Sequence, residues 1–131
     1  MLLNDLYKIE SVTENEQKFE VIVRLDPAHA IFGGHFPGQP VLPGVCMLEI
    51  ICEITSRQLN KKFRISGGRV IKFLNMIDPN KTPLIRVDIE VRENQKSVEL
   101  AGRIHESSII FMKYQLELTA TSEQIIGHLD S

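Results

Sequence analysis

From Lys18 to Leu25 apolar and polar side chains take turns along the chain. Phe19, Val21, Val23 and Leu25 fall on one face, and Lys18, Glu20, Ile22 and Arg24 on the other. A period of two is that of a strand with one face buried. The alternation returns three times downstream. Ile85, Val87, Ile89 and Val91 alternate with Arg86, Asp88, Glu90 and Arg92; Val98, Leu100, Gly102 and Ile104 with Ser97, Glu99, Ala101 and Arg103; Met112, Tyr114, Leu116 and Leu118 with Phe111, Lys113, Gln115 and Glu117. The links at Glu93 to Lys96 and Glu106 to Ser108 are short and polar, which makes these strands antiparallel neighbours. A less regular strand is expected from Phe63 to Phe73, where Gly67-Gly68 marks a bulge or a close backbone approach.

Past Gly44 the period changes. VCMLEIICEITSRQLN predicts a helix of about four turns, with Pro43 at its first turn, where a missing N–H costs nothing. Val45, Cys46, Met47, Leu48, Ile50, Ile51, Cys52 and Ile54 cover most of its circumference, so other structure must enclose it. Glu49, Glu53 and Arg57, joined by Ser56, form its one polar stripe. A helical turn is expected at Leu2 to Leu6, Asp26-Pro27 ends the first alternating strand, and the tail after Thr121 is expected to fray. One buried helix against an antiparallel sheet is an α+β arrangement, here a single domain over residues 1–131. The sheet must curl to cover the helix. Dimerisation is a natural way to cover the face and edges that remain.

Composition narrows the function classes. The chain has 131 residues, 43% hydrophobic and 24% charged, which fits a soluble domain without a membrane span. MLLNDLYKIE carries Asp5 where a signal peptide would need its apolar core, so a cytoplasmic location is expected. Cys46 and Cys52 lie inside the apolar run and read as buried reduced thiols, not as a disulfide or a metal knuckle. A net charge of −2 gives no footprint for a nucleic-acid binder. Lys61, Lys62, Arg64, Arg69 and Lys72 read either as a local patch for an acidic carrier protein or as a scattered solvated face.

The candidate chemistry lies just before the helix, in GGHFPGQPVLPG at residues 33–44. Pro37, Pro40 and Pro43 fix φ at three points while the glycines allow conformations other residues avoid, so the loop holds His35 stiffly. Histidine is suited to exchanging a proton near neutral pH. At a helix start, the Gly44 N–H is unpaired and sits at the positive end of the dipole, where a carbonyl oxygen gaining charge is stabilised. Glu49, about one and a half turns on, is a carboxyl group in apolar company, a setting that favours its acid form. Together these suit removal of a proton beside a carbonyl, with a carboxyl group to protonate a leaving hydroxyl. Glu53 reads as structural, paired with Arg57 at helical spacing, and His29, His105 and His128 as surface residues.

HFPGQPVLPGVCMLE resembles the active-site signature of the 3-hydroxyacyl-ACP dehydratases of bacterial fatty-acid synthesis, H-F-P-G-x-P-x-x-P-G-V-x-x-x-E. His35, Phe36, Pro37, Gly38, Pro40, Pro43, Gly44, Val45 and Glu49 match it, and Ile31-Phe32-Gly33-Gly34 resembles the lead-in. The resemblance implies a hot-dog fold, a curled antiparallel sheet around one long helix, assembled as a dimer. His35 would be the base at the α-carbon, Glu49 of the partner subunit would hold the β-hydroxyl or its leaving water, and the Gly44 N–H would polarise the thioester carbonyl. Phe36, Pro43 and Val45 would stand with Gly44 as substrate-binding positions. The acyl chain would arrive on the phosphopantetheine arm of acyl carrier protein, so no metal or redox cofactor is implied. The second subunit would be another copy, with dimers able to associate further, or a different hot-dog chain.

The chain also departs from that family. MLLNDLYKIESV stands where a Leu-Pro-His-Arg run is usual, Glu53 where a glutamine is usual, and Lys72-Phe73 and Pro79-Asn80-Lys81 replace Arg-Phe and Pro-Gly-Asp. Chain length, carrier and pathway, whether housekeeping fatty acid or an aryl polyene or other polyketide-like product, stay open. So do two alternatives on the same scaffold, an acyl thioesterase and a non-catalytic acyl-binding subunit.

Overall fold

The computed structural model describes residues 1–34 and 38–121. Six strands form one sheet: β1 (Tyr7–Asn15), β2 (Lys18–Leu25), β3 (Phe63–Phe73), β4 (Leu84–Glu93), β5 (Ser97–Glu106) and β6 (Ile109–Ala120). A four-residue helix, α1 (Ile31–Gly34), and the long helix α2 (Gly44–Leu59) lie between β2 and β3. Spatial order is β1-β2-β4-β5-β6-β3 and every pairing is antiparallel.

The alternating positions do what their period predicts. Val21, Val23, Ile85, Val87, Leu100, Ile104 and Leu118 are buried on the inner face, against Ile50, Ile51 and Ile54 of α2 in one continuous core. Because α2 is apolar around most of its surface, the sheet has to curl over it, and the result is the hot-dog arrangement that the resemblance implies. Among the described residues no helix is long and apolar enough to cross a membrane.

Two local details matter for the site. The pairing of β3 with β6 slips between Ile65 and Gly67 and again between Gly68 and Val70, so the double glycine does mark bulges. In the middle of the sheet, Tyr114 faces Gly102 across the β5–β6 pairing and donates its hydroxyl to the Asp88 carbonyl at 2.7 Å. A Cβ on Gly102 would stand 1.9 Å from that carbonyl oxygen, so only glycine allows the crossing.

The N-terminal region differs from expectation. β1 is a strand that periodicity does not reveal, because after Tyr7 and Ile9 its side chains are exposed and its place rests on backbone bonding to β2. The helical turn expected at Leu2 to Leu6 forms around the Leu2 carbonyl, which accepts the Asp5 N–H at 3.1 Å and the Leu6 N–H at 2.8 Å, and it goes no further because Asn4 adopts a φ of 66°. α2 ends on Asn60 at φ 53°, and the Lys61 N–H caps the Ser56 carbonyl at 3.1 Å. The tail expected to fray, with His128, lies outside the described residues.

Candidate active site

The loop into the motif is built by polar contacts. Asp26 accepts the Ala28 N–H on Oδ1 at 2.9 Å, and the His29 N–H donates to the Asp26 carbonyl at 3.1 Å. His29 is not the free surface residue the sequence suggests. Its Nδ1 accepts the Ile31 N–H at 3.1 Å, leaving Nε2 to meet Asp5 Oδ2 at 3.1 Å, and its side chain is only 18% exposed. His105 is likewise drawn in, 2.9 Å from Asp88 on the outer face of the sheet. α1 then delivers the chain to His35. His35, Phe36 and Pro37 lie outside the described residues.

Beyond them the chain turns at Gly38, whose φ of 87° is a conformation that suits glycine. Leu42 is buried and donates its N–H to the Ile77 carbonyl at 2.9 Å, which aims Pro43 at the start of α2. Pro43 takes the N-cap position with no side-chain cap, and its carbonyl accepts the N–H groups of Cys46 and Met47. Gly44 and Val45 therefore open the helix with N–H groups that have no intrahelical acceptor. Phe73, at the end of β3, lies against Gly44: a Cβ there would meet the ring at 2.7 Å. Pro43, Gly44 and Val45 thus form one rim with the Phe73 ring beside them. Val45 is 74% exposed, a large apolar side chain open to solvent beside the helix start.

Glu49 follows on α2 and lines a cleft of about 690 Å3 with Leu3, Cys52, Glu53, Arg57, Lys61 and Phe63. Its side chain reaches solvent in the single subunit. Partial burial against the apolar helix, and then the charge and hydrogen bond of Glu53, push its carboxyl above the usual range.

Glu53 corrects the sequence-based expectation most clearly. It does not stand with Arg57 in the solvated stripe but is buried at 7% exposure. Its Oε1 accepts the Leu3 N–H at 2.9 Å and the Tyr7 hydroxyl at 3.0 Å, and its Oε2 accepts the Leu2 N–H at 2.8 Å. Burial, followed by the nearby Glu53 charge, raises the Tyr7 phenol far above its ordinary value, so Tyr7 serves as a donor throughout the physiological range. The departure at the N-terminus and the departure at Glu53 are one device.

The remaining candidates sort out simply. Cys46 and Cys52 are buried free thiols, as expected. Burial raises both, Cys52 to about 11, and its thiol donates to the Phe63 carbonyl at 3.4 Å. The basic residues do not form one patch: Lys61 and Lys62 line the Glu49 cleft, Arg69 meets Glu99 at 3.5 Å, and Lys72 lines a cavity on the outer face of the sheet. Among the described residues no three His, Cys, Asp or Glu side chains are grouped to hold a metal ion.

Comparison with known proteins bears on the family and the fold. Residues 11–111 match the ApeI-like family, described as ApeI dehydratase. Over 68 residues, 47% of this chain, it is 38% identical to a 3-hydroxyacyl-(acyl-carrier-protein) dehydratase FabZ of Latilactobacillus sakei, of which 49% is covered. Over 58 residues, 44% of this chain, it is 40% identical to the FabZ of Mannheimia succiniciproducens, of which 39% is covered. The matched stretch thus spans half or less of each relative. Among solved structures, the dehydratase heterocomplex ApeI:P from Xenorhabdus doucetiae superposes with a TM-score of 0.68 at 20% identity, covering 85% of this chain and 96% of that one. A mutant thioesterase from Pseudomonas aeruginosa superposes with a TM-score of 0.60 at 10% identity, covering 88% and 81%. At such identities the likeness is one of fold.

Proposed function

The chain belongs to the ApeI-like dehydratase family, and from that premise we propose that it removes water from a 3-hydroxyacyl thioester to give the trans-2-enoyl thioester. The substrate would be held on acyl carrier protein. His35 takes the proton from the α-carbon, the electron pair of that C–H bond becomes the double bond, and the β-hydroxyl leaves as water with a proton from Glu49. The Gly44 N–H, at the open start of α2, steadies the negative charge that builds on the thioester oxygen. Pro43 and Val45 would flank that oxygen and the first carbons of the acyl chain, with Phe36 proposed as a further substrate-binding residue from the sequence motif. The steps transfer protons only and call for no metal or redox cofactor. Work on a carrier-bound thioester fits the cytoplasmic location expected from the sequence.

The observation that carries the proposal is the spacing on α2. An uncapped Gly44 N–H and, about one and a half turns on, a carboxyl group held above its usual range let each copy of α2 supply one charge stabiliser and one acid to the paired sites. A thioesterase would need an ionised carboxylate to activate water, and the partial burial of Glu49 and its Glu53 neighbour work against ionisation. The second subunit would complete the site, with Glu49 of the partner subunit facing His35. Val45, Phe73 and Met76, exposed beside the edge strand β3, would be covered in that assembly. The relative from Xenorhabdus doucetiae is a heterocomplex, so the second subunit is proposed as either another copy or a related hot-dog chain.

The test is incubation of the purified protein with 3-hydroxyacyl-ACP of several chain lengths, following enoyl product and free thiol. Enoyl product without thiol supports the dehydratase. Thiol release marks a thioesterase. Neither product, alone or with a second hot-dog subunit, marks an acyl-binding chain.

A further inference from the structure

Glu49 and Glu53 sit one turn apart on α2 and line the same cleft, where the charge and carboxyl group of Glu53 act directly on Glu49. Two ionised carboxylates repel at that separation, so a proton is held by the pair more readily than by either group alone. The donor and acceptor inventory decides where it goes. Glu53 Oε1 already accepts two hydrogen bonds, from the Leu3 N–H and the Tyr7 hydroxyl, and Oε2 accepts one from the Leu2 N–H. Three donors stabilise the carboxylate form, and only one lone pair of Oε2 is left, which can accept but has no room to be a donor. Glu53 is thus built as the acceptor of the pair, which leaves Glu49 as the one placed to carry a proton.

We propose that Glu53 is a positioning residue for the acid of the site: the N-terminal segment, through Leu2, Leu3 and Tyr7, fixes Glu53 as a carboxylate, and Glu53 in turn fixes the proton and the orientation of Glu49. This rests on the dehydratase reading for its purpose but not for its existence. The other charged and titratable groups around Glu49 are the Met1 amino group and Tyr7 from the N-terminal segment, Cys46, Cys52 and Arg57 on α2, and Lys61 and Lys62 just beyond it. The cations among them oppose the effect of Glu53. Its contact with Glu49, being direct, outweighs theirs. The arrangement also explains why a glutamate is tolerated in a buried position: its charge is fully matched by donors whose own alternative would be to go unpaired.

The test is a titration of Glu49 by NMR of protein labelled with carboxyl-13C glutamate, with the Glu49 signal assigned from Glu49→Gln. In the native chain Glu49 should titrate above the ordinary glutamate range. In Glu53→Gln the amide can donate to Glu49, so the midpoint should fall by about one pH unit or more. Tyr7→Phe removes one donor without changing charge and should lower the midpoint in the same direction by less; it carries the test alone if Glu53→Gln does not fold. In activity, the alkaline limb of kcat/KM should move to lower pH in both variants, which a purely structural role for Glu53 would not produce. A Glu49 midpoint unchanged in the folded variants overturns the proposal, even if the protein is a dehydratase. A midpoint that falls in a protein forming no enoyl product upholds it and overturns the reaction instead.

Discussion

The ring of Phe73 lies directly on Gly44, so closely that a Cβ at residue 44 would stand 2.7 Å from its far edge. The contact joins the end of β3 to the first residue of α2, and it closes one side of the space over the Gly44 N–H. Alanine at this position suits the helix backbone, and the half-exposed ring can swing outward, so Gly44→Ala should change stability by less than about 1 kcal/mol. Activity should still fall at least about tenfold, because the new methyl and the displaced ring crowd the place proposed for the thioester oxygen. Enoyl formation measured beside a urea melt checks both halves. Full activity in a folded Gly44→Ala protein would remove Gly44 from the site.

A second expectation concerns Glu49 and pH. Its carboxyl titrates above the ordinary range in the folded chain. The folded state therefore binds the proton more tightly than the unfolded one. The stability this contributes is complete below the unfolded value and is lost as pH rises through the raised folded value. Glu49→Gln keeps the shape and removes the titration. Its stability relative to the native chain should therefore improve as pH rises through that window and stay level above it. Activity of Glu49→Gln should drop by about 10²-fold or more. Urea unfolding at a series of pH values reads the first, and enoyl formation the second. A stability difference that does not vary with pH would mean that Glu49 is simply solvated.

The strands that alternate and the helix that does not were legible in the sequence because each has one kind of surroundings along its length. β2, β4, β5 and β6 meet the core on one face and α2 meets it nearly all round. β1 was not legible, since its exposed side chains record no core and its backbone bonds to β2 leave no mark on residue type. The spacing from Gly44 to Glu49 could be read because a helix turns it into geometry. The environment of Glu53 could not, because Leu2, Leu3 and Tyr7 lie 46 to 51 residues away along the chain. A glutamate among Ile50, Ile51, Cys52 and Ile54 was the only hint. The approach of Phe73 to Gly44 likewise belongs to tertiary structure.

Gly102 offers a test of the fold apart from the site. A Cβ there would stand 1.9 Å from the Asp88 carbonyl oxygen and 2.9 Å from the Tyr114 hydroxyl. The first obstacle is backbone in a central strand and cannot rotate away. Gly102→Ala should cost about 3 kcal/mol or fail to fold. Tyr114→Phe removes only the hydroxyl and should cost about 1–2 kcal/mol. In the double variant the loss of the hydroxyl relieves one clash but not the other, so the two costs should add to slightly less than their sum. Denaturant midpoints of the three proteins decide it, and a Gly102→Ala protein as stable as the native chain would mean that β4 and β5 are spaced differently.

The proposed sharing of one site between two subunits can be tested without knowing the acyl chain. Val45, Phe73, Leu74 and Met76 are large apolar side chains exposed together near the edge strand β3. Such a row is the expected face for a second subunit. If His35 and Glu49 of one site come from different copies, His35→Ala and Glu49→Ala proteins should each be inactive, since each homodimer lacks one partner in both sites. Mixed under conditions that exchange subunits, a heterodimer regains one intact site, and a statistical mixture should recover about a quarter of native activity. Met76→Asp should weaken that assembly and lower the recovery. Exchange shown by mass spectrometry with no recovered activity would place both residues in the same subunit, and a chain that stays monomeric until a different hot-dog subunit is added would identify the partner as the other kind.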